Sequence, residues 1–304
     1  MKYTIKMKNM DGNETIIKPR MFDRQYWRDI WNYRELFYFL AWRDIKVRYK
    51  QTVIGFAWAV IRPFLTMVVF SVIFGQFAKL PSEQGVPYPI MVYTALLPWQ
   101  FFVGFLSTAS NSLIENVSLV SKVYMPRIII PASKAIVSFV DFILSFIILI
   151  GLMVFYRFVP SGRIVFIPLF LFLGFLLAYG LSLLFASLNV KYRDFMQIIP
   201  SFISLGLYIS PVGFSSNIIP DKWLLLYSLN PMVGVINGFR WAILGGDVNI
   251  HISGLVLSIV LTIIIFITGL FYFRYTEKNV CRLYLINHEY NRNKKTREKI
   301  YHIS

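Results

Sequence analysis

Apolar residues along this chain gather into six long blocks, near Val53–Phe77, Ile90–Ser110, Ala132–Phe155, Ile164–Leu188, Phe195–Val212 and Ile252–Phe273. A helix needs about 20 apolar residues to cross a hydrocarbon core about 30 Å thick. The pattern predicts an all-α membrane protein with six transmembrane helices; the fifth block is the shortest and is interrupted by Pro200. Ahead of the first block, residues 22–50 mix aromatics (Phe22, Tyr26, Trp27, Trp31, Tyr33, Phe37, Phe39, Trp42) with Arg and Lys. Aromatic rings settle at headgroup level and basic side chains reach anionic lipid. This stretch therefore reads as one or two amphipathic helices on the interface, with a soluble helix packed on a partner as the alternative. Residues 1–20 are polar and basic, with a short alternating stretch from Glu14 to Lys18 that suits a strand. Between the last two blocks, residues 211–250 stay apolar at Trp223–Leu229 and Met232–Leu244, which predicts short re-entrant helices dipping into the outer leaflet. Three regions result: a lead-in and interface segment over 1–52, a six-span membrane body over 53–275, and a basic tail over 276–304.

Composition agrees with a bilayer as solvent. The chain has 304 residues, 57% hydrophobic and only 15% charged, where soluble domains are about a quarter charged. The net charge of +16 would suit a nucleic-acid partner if it lay on one surface. Instead 25 of the 31 Lys and Arg fall in the two tails and alternate loops, five fall in the opposite loops, and Arg62 lies inside the first block. Basic residues accumulate on the cytoplasmic side. The split places both termini in the cytoplasm, makes anionic lipid the expected neighbour, and removes the reason to expect nucleic acid. Cys281 is a lone cysteine and cannot form an intrachain disulfide. The first apolar block begins too far from the start to be a cleavable signal peptide.

Candidate chemistry is sparse. There is no GxxxxGK[ST] motif, so no phosphate-cradling loop of that kind. His251, His288 and His302 are scattered, so no metal is expected, and no cofactor is implied. Asp141 is the acid that falls inside a secure span, where insertion costs about 2.5–3.5 kcal/mol. Two roles are open to it: a polar element of a substrate path, or a paired or protonated group that stabilises helix packing. Lys134, two turns earlier on the same face, is a possible partner. Arg62, beside Pro63, suits an anionic headgroup or phosphate entering from the inner leaflet; snorkelling to the interface is the alternative. Gly174, Ala178, Ser182 and Ala186 form a small-residue stripe suited to close helix packing. Trp58, Trp99, Phe101, Phe102, Tyr179 and Tyr208 could stack on sugar rings in a pore, or face lipid and core.

Several blocks resemble a known family in its own order: WRDIKVRYKQTVIGFAWAVIRPF, VVFSVIFGQFAKLPSEQGVPYP, LVSKVYMPRIIIP, LNVKYRDF and LNPMVGVINGFRWAIL. Over roughly residues 24–275 the chain is similar to ABC-2 type permeases that export polysaccharides and polyol phosphates, such as O-antigen, capsule and teichoic-acid chains. The resemblance implies a transport subunit without ATPase activity of its own. It implies a homodimer paired with separate ABC ATPase subunits in the bacterial cytoplasmic (inner) membrane, moving a lipid-linked polysaccharide. It assigns the loop around Ser121, Lys122, Tyr124, Pro126 and Arg127 to coupling with the ATPase. It makes the segment around Arg43, Lys46 and Arg48 an inner gate and places Trp223, Asn230, Pro231 and Arg240 in an outer gate loop; Arg62 and Asp141 join the substrate or gate candidates on their own chemistry.

The rivals are an ABC-2 permease for a small drug or a lipid, an integral-membrane glycosyltransferase or polymerase, and a passive pore or scaffold. A polymer substrate calls for a continuous channel across the dimer. A glycosyltransferase calls for clustered acidic or histidine residues at one membrane face, which the sequence does not display. A passive pore would have no ATPase partner.

Overall fold

The computed structural model describes residues 5–8, 14–17, 24–50, 55–83, 85–122, 125–192, 194–245 and 251–301. Its body is helical. The lead-in carries one small antiparallel hairpin, β1 (Ile5–Lys8) and β2 (Glu14–Ile17), with Ile5 opposite Ile17 and Lys8 opposite Glu14. The alternation around Glu14 thus does form a strand, and its partner lies nine residues upstream, in a stretch where no strand was expected.

Two helices, α1 (Arg24–Asn32) and α2 (Arg34–Lys50), carry the aromatic and basic residues of the interface segment. The first apolar block divides into α3 (Gly55–Phe70) and a continuing π-helical stretch, Ser71–Phe77. Next come α4 (Tyr88–Glu115), the short α5 (Val117–Lys122) and α6 (Ile129–Phe155). A 3-10 turn at Gly162–Phe166 leads into α7 (Ile167–Lys191). Then follow α8 (Phe195–Ile209), α9 (Asp221–Tyr227), α10 (Pro231–Leu244) and α11 (Ile252–Tyr301).

Among the described residues, five helical stretches are long and apolar enough to cross a membrane: Val60–Phe77, Tyr88–Glu115, Ile129–Phe155, Gly162–Lys191 and Ile252–Glu277. The fifth predicted block forms a helix of only 15 residues, α8. At 1.5 Å per residue it spans about 22 Å, short of a full hydrocarbon core. Past the predicted end of the last block, α11 runs on without a break to Tyr301, so the tail continues the span instead of folding apart from it.

The body is arranged around α4, which is apolar on every side and therefore buried on every side. Ile90 through Trp99 are all buried. Helices α6, α7, α10, α3 and α8 pack around it, α11 lies on α7 and α10, and α2 lies along α6. Lipid tails are as apolar as these side chains, so close packing rather than water exclusion holds such helices together. An aromatic layer contributes much of it. Phe105 stacks on Phe175 at 5.5 Å and on Tyr179 at 5.8 Å, and Phe142 meets Phe239 edge-on at 6.1 Å.

The small-residue stripe of α7 is buried throughout, with Gly174 against Val235 of α10. The tightest backbone approach lies elsewhere, where Gly180 of α7 crosses Gly269 of α11. A β-carbon on Gly180 would lie 2.6 Å from the Phe266 Cα, and one on Gly269 would strike the Gly180 carbonyl oxygen.

Candidate functional site

The basic helix α2 is keyed to the helical body by charge. The Arg48 guanidinium lies 2.5 Å from one carboxylate oxygen of Asp141. The Tyr49 hydroxyl donates to the other at 2.5 Å. Desolvation first, then Asp141, pushes the Tyr49 phenol well above its usual range, so it stays a donor at physiological pH. About two turns nearer the start of α6, the Lys134 ammonium sits between Asp44 at 3.1 Å and Glu115 at 3.2 Å. Arg43 closes this second group, 2.9 Å from Asp44.

The sequence suggested Lys134 as the partner of Asp141. The structure gives Asp141 to Arg48 and Tyr49, and Lys134 to Asp44 and Glu115. The reason is geometric. Side chains seven residues apart on one helix share a face but sit about 10 Å apart along the axis. Asp44 and Arg48, one turn apart on α2, bring closer counter-charges to each.

Of the gate residues expected from sequence, Arg43, Lys46 and Arg48 share α2, and Asp141 lies against its end. Lys46 rests over the Trp42 ring at 5.3 Å. Arg62 is exposed on α3. Of the aromatics, Trp99, Phe101 and Phe102 are buried core residues, while Tyr208 on α8 is exposed. Tyr179 donates to the Ile128 carbonyl at 3.3 Å. The Trp58 side chain lies outside the described residues.

On the same side, α5 and the following turn pack into a second apolar core. Val120, Met125, Ile128, Ile129 and Ile130 meet Leu40 of α2, Leu113 of α4, Leu183 of α7 and Phe273 of α11. Pro126 is buried. Tyr124 lies outside the described residues, and so do the side chains of Ser121 and Lys122, which end α5. Arg127 is engaged within the chain. Its backbone N–H donates to Glu277 at 3.0 Å, and its guanidinium donates to the Glu277 carbonyl. The second Glu277 carboxylate oxygen takes Arg274 at 3.0 Å and the Tyr26 hydroxyl at 3.3 Å. Arg274 in turn lies over the Tyr26 ring at 3.3 Å. Burial, then the negative charge of Glu277, raises the Tyr26 phenol far above its ordinary range.

At the other end, the segment after α8 is gripped from two directions. Buried Glu83 accepts from Ser215 at 2.5 Å and from Asn217 at 3.1 Å. Arg240 is 1% exposed and donates to the carbonyls of Phe214 at 2.8 Å and Val212 at 3.3 Å. Complete burial pushes its guanidinium down to about 10, opposed by Glu83, and it remains a cation at neutral pH. Asn230 caps α10 by accepting from Met232 N–H at 3.1 Å, with Pro231 as the first helical residue. Asn230 also donates to Ser210 at 2.9 Å. Trp223 is exposed on α9.

Sequence reasoning passed over Asp44, Tyr49, Glu83, Glu115 and Glu277, and took Tyr26 only as one of the interface aromatics. Three of them carried a usable signal, being acids at the margin of an apolar block: Glu83, Glu115 and Glu277. Acids in such places need a partner.

These features define a polytopic helical membrane protein with a basic helix keyed to its body by charge. The chain belongs to the ABC-2 type transporter family, whose model matches residues 35–244. It is 30% identical over 229 residues to an O-antigen export system permease protein, RfbA, of Klebsiella pneumoniae, covering 72% of this chain and 86% of that one. A protein of the same name from Myxococcus xanthus is 26% identical over 216 residues, covering 70% and 82%. The polysialic acid transport protein KpsM of Escherichia coli is 22% identical over 242 residues, covering 78% and 91%.

Proposed function

We propose that this chain is the permease subunit of an ATP-driven exporter that carries a lipid-linked polysaccharide across the bacterial cytoplasmic membrane. It would act as a homodimer with separate ABC ATPase subunits. The observation that carries the reading is the placement of α2. A helix bearing Arg43, Lys46 and Arg48 lies at the foot of the first span and is held to α6 through Asp141. A lipid-linked pyrophosphate presents its charge at the leaflet surface, where such a helix would meet it. Relatives named for O-antigen export and polysialic acid transport support a polymer as cargo.

In this reading α8, with the turns that follow it, makes the sixth crossing and returns both termini to the cytoplasm. The first span and α8 leave much apolar surface uncovered: Val68, Val69, Ile73 and Phe77 on one, Phe202, Leu205, Tyr208 and Ile209 on the other. Those faces suit a second copy around a shared conduit. Ser121, Lys122, Tyr124, Pro126 and Arg127 form the ATPase-facing turn. Trp223, Asn230, Pro231 and Arg240 belong to the outer gate. A drug or lipid permease is the second reading, since the exposed aromatics of α2 (Tyr38, Phe39, Trp42) also suit a lipid substrate.

The test pairs two measurements. A tagged chain purified from its native membrane is expected to bring down a nucleotide-hydrolysing subunit. Deletion of its gene is expected to strand lipid-linked polymer on the inner leaflet. Recovery of the ATPase with normal surface polymer would favour the drug or lipid reading. Recovery of no ATPase would end the exporter reading.

A further inference from the structure

One carboxylate on the inner side gathers three separate parts of the chain. Glu277 stands at the end of the apolar part of α11. It takes the backbone N–H of Arg127, two residues before α6 begins. A carboxylate at that position satisfies a backbone donor of the turn that leads into α6 and lies near the positive end of the helix dipole. The residue at the helix start itself, Ile128, supplies no side-chain cap, and the polar contact just before it comes from another helix. The Glu277 backbone carbonyl takes the Arg127 guanidinium, which makes the join two-sided. Tyr26 of α1 reaches the same carboxylate, and its ring carries Arg274. Beneath these polar links lies the shared apolar core of Met125, Ile128, Leu40 and Phe273.

We infer that Glu277 is a positioning residue for energy coupling: it locks the turn at Pro126–Arg127 to α11 and α1, so that a push on that turn moves the last span and the interface helices as one body. The inference rests on the exporter reading above, in which that turn faces the ATPase. A loop joined to the bundle only through its own two helices would flex under load. A loop cross-tied to α11 through a partly buried carboxylate transmits displacement. Arg127 accordingly serves inside the permease, and contact with an ATPase falls to the neighbouring residues of α5 and the turn.

The experiment uses the full permease–ATPase complex, reconstituted in lipid nanodiscs for ATP hydrolysis and expressed in cells for polymer export. Glu277→Ala is expected to keep ATPase recovery and hydrolysis near wild type while export per ATP falls about threefold to tenfold, the range one link in a coupling network carries. Glu277→Gln keeps one acceptor oxygen, which serves the Arg127 N–H but cannot also serve Tyr26 and Arg274, and is expected to restore only part of that ratio. Tyr26→Phe removes one donor, keeps the ring beneath Arg274, and is expected to lower the ratio by about twofold. Unchanged export per ATP in Glu277→Ala overturns the inference, and so does a proportional loss of hydrolysis, export and ATPase recovery. If Glu277→Ala does not accumulate in the membrane, the other two variants decide: a wild-type ratio in Tyr26→Phe together with Glu277→Gln overturns it. A wild-type chain that recovers no ATPase overturns the exporter reading and this inference together, whereas the other failures touch this inference alone.

Discussion

The guanidinium of Arg48 and the carboxylate of Asp141 lie 2.5 Å apart, joining the last turn of α2 to the fourth turn of α6. An acid that would be costly alone in hydrocarbon is thereby neutralised by a basic residue from the interface helix. The pair also fixes where α2 ends and the first span begins. Whatever moves α2 must first separate these two charges.

Arg48→Gln and Asp141→Asn are therefore expected to loosen α2 without preventing insertion. Removing one member of a well-buried pair costs about 3–5 kcal/mol. The Arg48 side chain here is 39% exposed, so a coupling energy of about 1 kcal/mol is expected for the pair. The double variant should be less destabilised than the sum of the singles. A double-mutant cycle on thermal stability in nanodiscs measures this, and strictly additive losses would show that the two residues act independently. Export assayed alongside separates mechanism from packing: Asp141→Asn with normal expression and normal export would remove Asp141 from the transport path.

The helical membrane architecture was legible because apolar length is written along the chain. Arg48 and Asp141 show where legibility ended. The cost of Asp141 was visible from sequence, yet local spacing pointed to Lys134, because a partner ninety-three residues away has no local signature. The small-residue stripe was equally incomplete. Gly174 through Ala186 follow a four-residue spacing and are buried, but Gly180 and Gly269 set the closest crossing, and neither stands out until two helices are placed together. At α8 the helix stops at Ile209, three residues short of the apolar block's end, because the last residues, near Ser210–Val212, turn away from the helix toward Arg240. Tyr26 and Glu277 lie 251 positions apart, and neither hints at the other in the sequence.

Gly180→Ala and Gly269→Ala offer a direct test of that crossing. The added methyl on Gly269 meets a carbonyl oxygen, and that on Gly180 meets backbone at Phe266. Neither obstacle is a flexible side chain, so α7 and α11 must move apart. Overpacking of this kind costs about 1–3 kcal/mol. Gly151→Ala, where no atom lies within 4 Å of the new β-carbon, is the control. It should be neutral or slightly stabilising, since alanine favours a helix over glycine by about 1 kcal/mol. Thermal unfolding followed by tryptophan fluorescence distinguishes them, and equal melting temperatures for all three would count against the close crossing.

The opposite end of the protein depends on Arg240 and Glu83 holding one stretch of irregular backbone. Carbonyls at Val212 and Phe214 have left the helix and point to Arg240, while the side chains of Ser215 and Asn217 point to Glu83. Irregular backbone near a bilayer persists only where protein satisfies it. Arg240→Met keeps bulk but strands both carbonyls, at about 1–3 kcal/mol each. Arg240→Lys keeps the charge but loses the planar fork that reaches two acceptors at once. It is expected to recover less than half of the loss. Glu83→Gln retains an acceptor for Ser215 and is expected to cost about 1 kcal/mol. In right-side-out vesicles, limited proteolysis at residues 211–220 should therefore quicken in the order Glu83→Gln, Arg240→Lys, Arg240→Met. The Arg48 and Asp141 variants, at the far end of the bundle, should leave this cleavage unchanged. A lysine that fully replaces Arg240 would mean that charge alone holds the segment and that the two carbonyl contacts are incidental.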